Sequence, residues 1–104
     1  MILRHATPRK NLPSIGRAGL LCCKSRGRLK VVWLHSPARS LWALAHTVGR
    51  HGGRVERVVI LEIDVPRSWL RRSKAGLWYS VRDVPADHIR GAVTFGKLAD
   101  SPAA

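Results

Sequence analysis

A chain of 104 residues can build one modest core and is too short for two domains. Its hydrophobic content of 45% argues against wholesale disorder, and apolar runs such as Val58–Leu61 are far too short to span a bilayer. Nineteen Lys and Arg against six Asp and Glu leave a net charge of +13, which points to a polyanionic partner. The excess is lopsided: residues 1–55 carry eleven basic residues and no acid, residues 56–104 eight against six. RNA or DNA is therefore the expected macromolecular partner, with no membrane. Arg4, His5, Arg9 and Lys10 break up any secretory leader, and adjacent Cys22 and Cys23 cannot form a strain-free disulfide. A reducing, cytoplasmic setting is the expectation.

Met1–Leu3 reads as a strand running into Arg4-His5. Asn11 is a good cap for a helix over Leu12–Ala18, with Pro13 tolerated in the first turn and Gly19 suited to the left-handed exit. Residues 22–30, "CCKSRGRLK", are polar and basic and read as an exposed loop. "VVWLH", residues 31–35, is β-branched and aromatic, as a strand should be. Ser36-Pro37 then signals a helix start, a capping hydroxyl before a ring preset for the first turn. Leu41, Leu44, Ala45 and Val48 follow at helical spacing, and Gly49 or Gly52-Gly53 ends the helix. "VERVVILEIDV", residues 55–65, is the longest strand and is expected to be central. "RSWLRRS" reads as a helical turn, "GLWYSV" as a strand, "VPADHI" as a turn and "GAVTF" as the last strand. The order β-α-β-α-β-(α)-β-β excludes a pure helical bundle and leaves a parallel doubly wound sheet and a mixed α+β sheet both open.

No G-x-G-x-x-G or G-x-x-x-x-G-K-[ST] follows the first strand, so the standard dinucleotide and P-loop designs lack support. The histidines and cysteines match no common zinc spacing, and no metal site is expected. His46 and His51 read as surface residues near a helix C-terminus. Glu62 and Asp64 share a strand face, but a central strand is a poor place for an acid/base pair. Trp33, Trp42, Trp69 and Trp78 read as core or cleft wall rather than as stacking platforms for bases.

Three stretches remain: "LRHAT" with "NLPSIGRAGL", then "VWLHSP", then "GLWYS" followed by Val84-Pro85 and Ile89. In order and spacing they resemble the ADP-ribosyltransferase superfamily, most of all the catalytic lobe of RNA 2′-phosphotransferases, over about residues 2–95. The resemblance implies an α+β domain over residues 1–96, with a mixed, split β-sheet and two main helices; the tail at 97–104 has little to bury and is expected to be disordered. It implies NAD as cofactor, held in a cleft. His5, His35 and Tyr79 would be the catalytic residues, His5 meeting a ribose hydroxyl. Arg4, Ala6, Thr7, Trp33, Ser36, Arg39 and Ser40 would bind the dinucleotide. The backbone at Ala6 would meet the carboxamide, Thr7 would support the loop, and Trp33 or His35 would flank the nicotinamide end. Arg4, Arg9, Lys10 or Arg39 would neutralise the diphosphate.

Nucleic acid would be gripped by Arg9, Lys10, Lys24, Arg26, Arg28 and Lys30, a task the phosphotransferases give to a separate N-terminal lobe. Ala6 stands where the family carries glycine, and the third stretch has no catalytic glutamate, as in the phosphotransferase branch. The expected function is an NAD-dependent transferase of the ADP-ribosyl type acting on or near nucleic acid. The alternative is a non-catalytic basic RNA- or DNA-binding module with the same fold.

Overall fold

The first strand, β1, spans Ile2–Pro8 and lies at the edge of an antiparallel sheet, where the missing N–H of Pro8 breaks no ladder. A computed structural model describes residues 1–25 and 27–93; Arg26 and the tail from residue 94 onward lie outside the described residues. The chain continues through α1 (Leu12–Ala18), β2 (Val32–Leu34), α2 (Ser40–Arg50), β3 (Val58–Asp64), β4 (Leu70–Arg72), β5 (Trp78–Ser80) and β6 (Ile89–Ala92). They form an α+β domain with two antiparallel three-stranded sheets, ordered β1-β3-β6 and β2-β5-β4. As expected, β3 is the central strand of its sheet.

Strand alternation sorts β1 and β3 onto two faces. Leu3, His5 and Thr7 sit opposite Ile63, Leu61 and Val59, facing the main core of Ile15, Leu20, Val32, Leu34, Leu70 and Val84. Arg4 and Ala6 sit opposite Glu62 and Ile60 on the other face, against which α2 packs. Arg4 is buried there, donating to the Ser40 hydroxyl at 2.9 Å and pairing with Glu62 at 3.6 Å. A guanidinium in that position joins β1, β3 and the start of α2 through one side chain.

Several local expectations change. The segment "RSWLRRS" makes a single 3-10 turn, Arg67–Trp69, and then becomes β4, because Leu70 is drawn into the core and pairs opposite Ser80. Neither Asn11 nor Ser36 caps its helix through the side chain. A 3-10 turn precedes each α-helix, and Asn11 turns its amide back to Thr7 Oγ1 at 3.4 Å. In α2 the buried positions are Ser40 and Ala43, whereas Leu41 is 57% exposed and Ala45 is also exposed. The inward face is therefore rotated from the Leu41–Val48 stripe, because Arg4 claims the first turn. Gly49 lies inside α2, and the chain leaves through Gly52 and Gly53, both at positive φ.

Candidate functional site

Beyond their shared core, one backbone bridge joins the two sheets among the described residues. Arg4 and His35 exchange both backbone hydrogen bonds at 2.8 Å, so β1 and β2 start an antiparallel ladder there. The next hydrogen-bonded pair would be Ala6 with Trp33, and it does not form. Instead the His5 imidazole wedges in, its Nδ1 2.6 Å from the Trp33 carbonyl oxygen. A carbonyl only accepts, so Nδ1 carries the proton and Nε2 of the neutral ring is left as an acceptor.

The splay leaves a backbone edge. Val65 donates to the Met1 carbonyl, which places the hydrogen-bonded pairs of β1 and β3 at odd positions of β1. The peptide groups of Ala6 therefore point away from β3, as those of Arg4 do. Where Arg4 finds His35, Ala6 borders a cleft of about 750 Å³. Its Cβ lies on the α2 face, out of the plane in which its N–H and C=O point.

The cleft runs between α1 with its following loop on one side and α2 on the other, with the ends of β1 and β2 as its floor. His5, Ala6, Thr7, Trp33, His35 and Lys24 all line it, as does Leu77 from the third stretch. Four of the five histidines of the chain face it, and among the described residues no carboxylate does. Burial lowers the pKa of His5, against an opposing pull from the Trp33 carbonyl. His35 falls to about 4, mainly through burial, then through the positive charge of His5 and Arg4 nearby. Both rings are neutral at pH 7. Nε2 of His35 is buried without a hydrogen-bond partner, in a residue that is 5% exposed. A buried polar nitrogen in that state costs the fold an unmade hydrogen bond and helps to keep the ring uncharged.

Other expected site residues lie elsewhere. Arg4 and Ser40 are buried against each other behind the floor. Ser36 is half-buried before the first turn of α2, and Arg39 is exposed beside Gly76. Tyr79 sits opposite Trp33 on β5, its ring 5.3 Å away and tilted by 57°, so it supports the indole from outside the cleft. Arg9 donates to the Glu56 carbonyl at 3.0 Å, Lys30 to the Ser25 carbonyl at 2.7 Å, and Lys10 and Arg28 are exposed. Among the described residues, the Lys and Arg side chains that reach the cleft are Lys24 and Arg50.

Arg50 was not expected here; it lines the cleft together with His46 and with Trp42, which was expected as core or cleft wall, all on α2, and with His51 just beyond the helix. His46 and His51, expected on an outer surface, border the cleft. The i, i+4, i+8 spacing of Trp42, His46 and Arg50 was the available signal, but the apolar stripe beside it drew the helix face elsewhere. Among the described residues, no three His, Cys, Asp or Glu side chains come together as a metal site, and no helix is long and apolar enough to cross a membrane. No family model and no curated protein matches this chain.

Proposed function

We propose that the cleft takes NAD and that the protein is a transferase of the ADP-ribosyl type, acting on or near nucleic acid in the cytoplasm. The observation that carries this reading is the splay after the Arg4–His35 bridge. It brings the peptide edge of Ala6, the Nε2 acceptor of the His5 ring and the backbone turn at His35 to one cavity. An amide edge suits a carboxamide, which needs one donor and one acceptor in a plane, and a neutral imidazole acceptor suits a ribose hydroxyl. The volume lies within the range of small-molecule sites. The residues present fit the dinucleotide, with Lys24 in place of Arg4 and Arg39 as the partner for its diphosphate.

NAD supplies an ADP-ribosyl group when the bond to nicotinamide breaks. His5 would orient the ribose, Ala6 would fix the carboxamide, and Trp33, braced by Tyr79, would wall the nicotinamide end. A site without carboxylates works chiefly by positioning and by excluding water.

Titrating NAD during thermal unfolding tests the reading. At ten times its dissociation constant, the ligand should add about 1.4 kcal/mol of stability, a melting-temperature rise of roughly 5–10 °C. His5→Ala should abolish the rise. An unchanged melting temperature in the parent protein, or a rise that survives His5→Ala, contradicts it. The non-catalytic reading predicts no response to NAD and nucleic-acid binding that survives His5→Ala and falls steeply with salt.

A further inference from the structure

Trp42, His46 and Arg50 follow one another at four-residue intervals along α2, and all border the cleft. The indole of Trp42 and the imidazole of His46 are stacked, 5.3 Å between centroids and 9° from parallel. Even so, Trp42 is 51% exposed. The inner face of α2 is supplied by Ser40 and Ala43, so this ring contributes little to the core. A large ring held flat at a cleft mouth, with Arg50 two turns further on and no carboxylate in the lining, matches a base joined to phosphates. In a duplex the base faces are covered by their neighbours, so only an unpaired nucleotide can use the indole.

We propose that the acceptor is single-stranded nucleic acid, with one base stacked on the Trp42–His46 pair and Arg50 at the adjoining phosphate. This rests on the reading of the protein as a transferase acting on nucleic acid, and it specifies the form of that acceptor. Leu41, one residue away and 57% exposed, does not border the cleft and separates stacking from general stickiness.

The test is fluorescence anisotropy of the full chain with labelled oligomers of roughly ten nucleotides, as single-stranded RNA, single-stranded DNA and the matching duplexes. Single strands should bind at least about tenfold more tightly than duplexes at equal salt, in either sugar chemistry. Trp42→Ala should weaken single-strand binding about tenfold with little change in melting temperature, Trp42→Phe should restore most of it, and Leu41→Ala should have no effect. Arg50→Gln should reduce the slope of log affinity against log salt by about one. Equal affinity for duplex and single strand, or wild-type binding by Trp42→Ala, overturns the proposal. If NAD still raises the melting temperature in that case, only the acceptor assignment fails. If NAD has no effect while Trp42-dependent single-strand binding is present, the transferase reading fails and the stacking site stands.

Discussion

Gly19→Ala should destabilise the protein by about 3 kcal/mol or more, lowering the melting temperature by roughly 15 °C. Gly19 leaves α1 with φ at +77°, a conformation that L side chains rarely adopt. Space is also lacking: a Cβ there would collide with the Val84 carbonyl oxygen and lie 2.9 Å from Ala86 N and Pro85 C. The obstacle is backbone, which cannot swing aside as a side chain can. That same Val84 carbonyl accepts from Leu20 at 2.8 Å, and Val84 donates back to Leu20 at 2.8 Å, so relieving the collision breaks the bridge that holds the exit of α1. Because Gly19 also lines the cleft, the substitution should weaken ligand binding as well. Gly49→Ala is the matching control. Its added methyl meets nothing within 4 Å inside α2 and should stabilise by about 0.5–1 kcal/mol. Denaturant melts of both variants check the pair; equal, small effects would show that the close approach at Gly19 is not rigid.

Stability should fall as pH is lowered from about 6.5 to about 4. His35 titrates near 4 in the folded protein and near 6.5 in an ordinary environment. Between those values the unfolded chain binds a proton that the folded chain refuses, so acid favours unfolding. The contribution is complete above pH 6.5 and gone below about 4, on the order of 3 kcal/mol. His5, also lowered by burial, pushes the same way. Unfolding free energies measured at several pH values should therefore show a steep acid limb, and His35→Phe should flatten it. A flat profile in the parent protein would mean that the imidazole has a route to solvent when charged.

How much of this was legible in the sequence depends on the scale of the question. The bounds of α1, the central place of β3 and the strand at "VWL" follow from local chemistry: a Pro in the first turn, Gly at the exit, β-branched runs. The family resemblance grouped His5, Thr7, Trp33 and His35 about one ligand, and all four line the cleft. What could not be read was anything decided across the chain. Arg4 looks like a phosphate ligand until Ser40 and Glu62 are brought to it, and the six basic-surface candidates cannot be ranked until the cleft shows that, of those described, Lys24 is the one that lines it. The turn of α2 that sends Leu41 outward and Trp42 to the cleft goes with the burial of Ser40 against Arg4, thirty-six residues away. A helical stripe shows which side chains share a face but not which face the fold will bury.

Long-range proton–nitrogen correlation of the imidazoles at neutral pH, with and without NAD, probes the splayed strand edge itself. Before addition, His5 should appear as a neutral ring protonated at Nδ1, fixed by the Trp33 carbonyl. On addition, the resonances of His5 and His35 should move together, while His88, outside the cleft with its Nδ1 2.9 Å from the Asp64 carbonyl, stays in place. If His5 and His35 do not respond at saturating NAD, or only His88 does, the dinucleotide does not belong in this cleft.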